Sequence, residues 1–367
     1  IRQQGNLTPC CIYKADNYPN VKNVSVTDID FSNLRQELLD GKKPTGCTKC
    51  WNNEKNNIIS KRLNDAYIYR DKIFDIDYND TKSNNLISLD IKINKTCNLS
   101  CRICGPAFSS KWASEVSQNK KSYPKFASLP LLKNEWTDVN GSKVWKDLEE
   151  ITCDLSYLTF SGGEPLLDKT HSHMLQYFID KQRSRYISIH YNTNATIFAP
   201  NLISLWSRFK EVELSFSIDN TGKKFEYERY GVSWKTIVDT IEKYKKVTDT
   251  VLNLNVWSTI TTLNILDTYT LFQFCREYGL PISFNLVNDP KQLNICLFNK
   301  KQKKYITDKL LNIQDNEFQK IIEPIITAMN SSNMSTNTTN MIDFLSITDK
   351  IRKQDYKQTY EELTYIL

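Results

Sequence analysis

From residue 86 onward, short runs of alternating apolar and polar positions are separated by longer stretches with an apolar residue every three or four positions. Period-two alternation marks half-buried strands, and a period near 3.6 marks amphipathic helices. The pattern predicts strands over 86–94, 155–161, 186–192, 212–219, 251–260 and 281–287. Between them it predicts helices over 107–118, 174–183, 202–209, 235–247 and 266–278. Most of these intervals are long enough for a parallel crossover, which needs a dozen residues or more. The chain therefore reads as an α/β protein of βα repeats with about six strands, forming either a partial barrel or a doubly wound open sheet.

The flanks depart from this pattern. Residues 121–145, with Pro124, Pro130, Trp136, Asn140 and Gly141, read as a loop inserted in the first crossover, either shaping a substrate pocket or lying plainly on the surface. Residues 1–80 read as a separate module, 81–290 as the strand–helix repeat, and 291–367 as a helical extension. The extension is expected to hold helices near 305–329 and 342–366 on either side of a patch at 330–340 rich in Ser, Asn and Thr. No internal repeat is visible.

Composition narrows the class. A chain of 367 residues can bury a large core and form two or three units. With 25% charged residues and a mean hydropathy of −0.50 it is an ordinary globular protein. No apolar run approaches the ~18 residues of a membrane span. The net charge of +6 permits an anionic partner without demanding nucleic acid. The first residue is Ile1, so a natural start upstream is expected. Ten cysteines without a visible signal peptide point to metal or redox chemistry in a cytoplasmic setting more than to disulfides. Seven of them fall in two clusters before residue 105, whereas Cys153, Cys275 and Cys296 are expected to be buried small hydrophobes. Of the three histidines, His171, His173 and His190, the first two are expected at the surface or as helix caps.

Cys97, Cys101 and Cys104 follow the first strand directly, in the loop leaving its C-terminal end, where α/β proteins build active sites. Three close thiolates satisfy three irons of a cubane cluster and leave the fourth open, as a catalytic metal site requires. A zinc loop, or buried thiols without a ligand, is the alternative. Phe160-Ser161-Gly162-Gly163-Glu164-Pro165 closes the second strand. Its glycines let another backbone or a ligand come close, and Pro165 holds Glu164 extended.

The triad spacing, together with Gly-Gly-Glu-Pro on the next strand, resembles the radical S-adenosylmethionine (SAM) superfamily. That resemblance implies a six-stranded partial barrel and a [4Fe-4S] cluster on Cys97, Cys101 and Cys104 that chelates SAM and cleaves it to methionine and a 5′-deoxyadenosyl radical. It implies SAM contacts at Gly162, Gly163 and Glu164 for the ammonium, Asn194, Ser217 and Asp219 for the ribose and methionine parts, and Arg229 for the carboxylate. Asn264 and Asn285 are weaker candidates for the same pocket. Ile103 stands where the family often has an aromatic residue against the adenine, and an aliphatic side chain can still cover that face. No pattern selects a general acid or base, and Tyr191, Tyr227 and Asp219 are the candidates.

Cys10 and Cys11, followed after a helical stretch at 31–39 by Cys47 and Cys50, can bind zinc or an iron–sulfur cluster. The stretch resembles the twitch or SPASM modules that carry auxiliary iron–sulfur clusters, although those usually follow the barrel. Neighbouring side chains diverge, so one of Cys10 and Cys11 is expected to be a spectator. The resemblance implies a radical SAM enzyme acting on a peptide or protein side chain by crosslinking, epimerisation or oxidation, with flavodoxin or ferredoxin as electron donor. The alternatives are a small-molecule substrate such as a sugar or nucleotide, and a zinc-bearing nucleic-acid-binding protein. The basic run 299–305 would serve the last, but reads as a solvated helix start.

Overall fold

Six parallel strands follow one another in chain order: β1 (Ser88–Lys92), β2 (Tyr157–Ser161), β3 (Ser188–Thr193), β4 (Glu211–Ser217), β5 (Leu252–Ile260) and β6 (Ile282–Leu286). This computed structural model describes the chain except for residues 3, 56–58, 74–80, 82–85, 128–135, 153, 248–251 and 332–337. Cys153, and parts of the stretches 121–145 and 330–340, thus lie outside the described residues. All six expected strands are present, as are the helices of the crossovers, Ser110–Gln118, His171–Asp180, Pro200–Trp206, Trp234–Lys245 and Thr268–Glu277.

The strand order decides between the two architectures. A doubly wound sheet reverses its order at a switch point. Here the order never reverses, so successive right-handed crossovers lay their helices on one face. β1 pairs only with β2 and β6 only with β5, which leaves an open, partial barrel. Alternation then sorts the side chains. Leu158, Phe160, Ile189, Tyr191, Val212, Leu214 and Phe216 are buried under the helices. Residues of opposite parity, such as Asp90, Thr159, His190 and Glu213, line the inner face in register. Along the free edge of β1, the carbonyl of Ile1 accepts the Lys92 N–H at 2.8 Å.

Three expectations need correction. Residues 121–145 are not simply a loop, because they contain helix Pro124–Ala127 and most of helix Trp136–Ile151. Val144 and Leu148, four apart, put one helix face into the core, and that burial outweighs the helix-weak Asn140 and Gly141. His171 is neither exposed nor a cap. It is fully buried, with its ring 4.8 Å from Phe160 and 5.6 Å from Tyr191 in the outer aromatic layer. The extension is more broken than expected, with helices Lys300–Leu311, Asn316–Ser331, Thr339–Arg352, Tyr356–Thr359 and Glu361–Ile366. They pack Ile306, Leu310, Phe318, Ile322, Met329, Met341 and Leu345 into a second core. Cys275 and Cys296 are buried as expected. The basic run starts a helix capped by Asn299 in a capping box with Gln302, and Lys303 is itself buried.

The N-terminal module shares the barrel's core through Leu7, Val21 and Val26. It also reaches the inner face, where the Tyr69 ring is tilted 58° against Tyr157 at 4.7 Å and its hydroxyl meets that of Ser88 at 2.8 Å.

Burial lowers the His171 pKa from 6.5 to about 4. A depressed base stabilises the fold fully above the unfolded value of 6.5, and that stability is lost as pH falls towards 4. The loss amounts to roughly 3 kcal/mol over this window. His171→Leu is expected to flatten the acid limb of stability between those two pH values, as read from denaturant midpoints. An unchanged limb would contradict this assignment.

Candidate functional site

The loop between β1 and helix Ser110–Gln118 carries the three thiols, and many of its backbone groups are held. Glu164 N–H donates to Thr96 O at 2.7 Å, and Ser110 Oγ accepts from Cys97 N–H at 3.0 Å. Lys111 Nζ donates to Asn98 O at 2.9 Å, Ser109 Oγ to Leu99 O at 2.6 Å, and Trp112 Nε1 to Cys101 O at 2.6 Å. From the other side, Ser100 and Arg102 N–H groups donate to Tyr230 O at 2.9 Å and Glu228 O at 2.8 Å. A long loop held in this way presents its side chains from a fixed frame.

The glycines of the second motif belong to the same frame. A Cβ on Gly162 would stand 2.6 Å from Asn94 O, and one on Gly163 would strike Thr96 O and come within 2.6 Å of Lys95 C. Only glycine lets the exit of β2 lie against the start of the thiol loop. Glu164 is buried and caps Leu166 N–H at 3.1 Å. It also accepts from Thr193 Oγ1 at 2.7 Å and Asn194 N–H at 2.6 Å, tying the exits of β2 and β3 together. Burial outweighs these three donors and raises its pKa to about 7.

Of the remaining expected SAM contacts, Asn194, Arg229 and Asp219 lie near the thiols. Asn194 Nδ2 lies 3.8 Å from Cys97 Sγ and donates to Asn98 Oδ1 at 2.9 Å. Ser217 ends β4 on the inner face. Asp219 is engaged elsewhere, accepting from Arg229 Nε at 2.9 Å and Nη2 at 2.7 Å through one oxygen and from Thr259 N–H at 2.8 Å through the other. Arg229 is buried as well, and its cation offsets part of the burial that pushes the Cys101 thiol up to about 12. Asn264 binds Glu228 at 3.2 Å, which directs it toward a buried cluster with Asn220 and Tyr360. Asn285 sits on β6, paired with Thr259 of β5. Ile103 and Cys104 line a cavity of about 820 Å³ with Pro106, Phe126, Pro290 and Phe344.

Both tyrosines considered as acid–base groups lie away from the inner face. Tyr191 has the parity of Ile189 and packs under the helices, its hydroxyl 3.3 Å from Trp206 Nε1. Tyr227 lies beneath the Arg102 guanidinium and donates to Asp349 at 2.7 Å. A polar set that the motifs did not flag occupies the inner face instead. His190 Nε2 is 2.8 Å from Ser215 Oγ, Ser215 donates to Glu213 at 3.1 Å, and Asn255 donates to the same carboxylate at 2.5 Å. Since the Ser215 hydrogen goes to Glu213, Ser215 Oγ accepts from His190 Nε2–H, which leaves Nδ1 with the lone pair. Burial holds this imidazole below its ordinary range despite Glu213 and Asp90. The signal was available in the alternation, since 190, 213, 215 and 255 share the inward parity.

Burial raises the pKa of both Cys47 and Cys11, the latter to about 11. Cys10 adds to both, Cys50 adds to Cys47 against Arg62, and Lys61 and Lys92 oppose the rise of Cys11 while Asp90 adds to it.

The donor chemistry fits an iron–sulfur cluster on the triad. Cys97 and Cys104 add to the burial that raises Cys101, Cys97 acts likewise on Cys104, and the largest charge effect on Cys101 is the opposing one of the Arg229 cation. Among the described residues no three His, Cys, Asp or Glu side chains are close enough to share a single metal ion. A cubane gives each thiolate its own iron, so its ligands stand farther apart. Gly163→Ala is expected to cost about 1–3 kcal/mol, the usual range for overpacking, and to lower iron uptake. Gly105→Ala, where an added Cβ meets nothing within 4 Å, is expected to change neither. Thermal melts and iron content of the reconstituted variants check both.

No protein-family model matches the chain, and no curated protein does. Among solved structures, native anSMEcpe with bound AdoMet is similar at 18% identity and a TM-score of 0.42, over 60% of this chain and 58% of that one. Streptococcus suis SuiB bound to precursor peptide SuiA is similar at 14% identity and a TM-score of 0.38, over 76% and 59%. The matches span less than two thirds of those chains. A sequential six-stranded parallel sheet thus carries a thiol triad at the exit of β1 and a Gly-Gly-Glu-Pro turn packed against it.

Proposed function

We propose that this protein is a radical SAM enzyme that modifies a peptide or protein side chain. The observation that carries the reading is the pinned loop that presents three soft ligands at the exit of β1. Cys97, Cys101 and Cys104 would hold the [4Fe-4S] cluster. When bound, that cluster supplies the electron that splits SAM into methionine and a 5′-deoxyadenosyl radical, which takes a hydrogen atom from substrate.

The chain's own residues position and screen. Asn194 and the glycine turn fix the cluster loop, and Arg229, oriented by Asp219, offers its remaining N–H groups to the SAM carboxylate. Ile103 covers the adenine from the wall of the adjoining cavity. The inner face below supplies Asp90, His190, Glu213 and Asn255 as hydrogen-bonding partners for a substrate. Cys10, Cys47 and Cys50 would hold an auxiliary iron–sulfur cluster, with Cys11 outside it. Their module borders the inner face through Lys61 and Tyr69, where an auxiliary cluster would accept the electron given up in an oxidative modification of a peptide. Flavodoxin or ferredoxin is the proposed electron donor, and the setting is cytoplasmic. No helix among the described residues is long and apolar enough to cross a membrane.

Cys97→Ala, Cys101→Ala and Cys104→Ala are each expected to abolish 5′-deoxyadenosine release from SAM under dithionite. Cys47→Ala is expected to remove only the auxiliary iron and to leave part of that release. Full loss of release in well-folded Cys47→Ala with normal barrel iron would overturn the two-cluster assignment. Arg229→Ala is expected to weaken SAM binding by tenfold or more, in the range for a lost charge-assisted pair. Deuterated candidate peptides test the substrate class, because label must appear in 5′-deoxyadenosine. Transfer from a deuterated sugar or nucleotide instead would replace the peptide reading.

A further inference from the structure

The most buried charges of the C-terminal extension converge on the thiol loop. Arg102, between Cys101 and Cys104, has no exposed surface. Its guanidinium lies 3.5 Å over the Tyr227 ring and donates through Nη2 to Asp349 Oδ1 at 2.6 Å. Nη1 donates to the Tyr227 carbonyl and to Gln354 Oε1 at 3.2 Å. Asp349 is fixed in turn, accepting from Tyr227 Oη at 2.7 Å and from Tyr356 N–H at 2.7 Å. One turn further along the same helix, Arg352 lies 4.7 Å over the Trp112 ring and binds both Glu115 oxygens at 3.1–3.2 Å. Trp112 is the residue that holds the Cys101 carbonyl. Helix Thr339–Arg352 thus grips the loop at two points, on the residue after Cys101 and, through Trp112, on Cys101 itself.

A buried ion pair is an expensive way to gain stability, because desolvating two charges offsets most of their attraction. What it adds is direction, since a guanidinium fork stacked on one ring and bonded to one carboxylate has one orientation. We infer that Asp349 and Arg102 are positioning residues, and that the extension's role is to hold the loop in the geometry in which three thiols meet one cluster. The inference rests on the radical SAM reading.

The test uses the full chain reconstituted with iron and sulfide in a Cys47→Ala background, so that iron reports on the barrel site. Asp349→Asn is expected to keep the far-UV circular dichroism of its parent. It is expected to lose iron to a chelator about tenfold faster or more, the range for residues that orient metal ligands. It is also expected to lose the change that SAM produces in the electron paramagnetic resonance spectrum of the reduced cluster. Asp349→Glu should recover both, and Arg102→Lys should fall between. Glu362→Gln, which removes a surface pair with Lys309 in the same extension, should match the parent. Parent-like iron retention and SAM response in Asp349→Asn and Arg102→Lys would overturn the inference. So would failure of Asp349→Glu to recover what Asp349→Asn loses, because the loss would then be general misfolding. A parent that takes up no iron would instead remove the functional reading beneath it.

Discussion

The contact on which the site depends is between two stretches of backbone. Gly162 and Gly163 bring the exit of β2 so close to residues 94–96 that no side chain fits between them. Parallel pairing sets this up, since Lys92 faces Ser161 in register and both strands leave the sheet at the same level. The Gly163 and Glu164 N–H groups then bond Asn94 O and Thr96 O, which fixes where the thiol loop begins. Everything beyond that point, including the spacing of the three sulfurs and the approach of Asn194, inherits its position from this seam.

Around the seam, charge is handled in pairs that burial makes strong. Arg229 and Asp219 form one pair beneath the thiols, Arg102 and Asp349 another behind them. Glu228 is satisfied by three neutral donors, Asn220, Tyr360 and Asn264, and burial with Asp219 nearby still raises its pKa to about 8. The inner face differs in kind, because its His190 and Glu213 side chains remain 30% and 38% exposed. The molecule thus separates a dry, rigid layer that sets geometry from a wetter layer that can meet a ligand.

What the sequence made legible follows from how local each signal is. Strands and crossover helices were readable because alternation and helical period are written in consecutive residues, and the thiol triad and glycine turn are contiguous motifs. The partners of Arg102 were not readable, since Asp349 and Gln354 lie about 250 residues away and nothing local marks them. Helix Trp136–Ile151 was hidden by Asn140 and Gly141, whose weak propensity tertiary burial overrides. The burial of His171 depended on two aromatic rings from other elements. Tyr191 is a different case, because its outward direction follows from the parity it shares with Ile189.

The bond between Ile1 and Lys92 bears on how a polypeptide could be held. An unpaired strand rim is a template on which a guest chain can be added by main-chain pairing. At Lys92 that template on β1 is already occupied by Ile1. A guest chain at this level of β1 therefore finds its ladder position taken, and contact there is left to side groups.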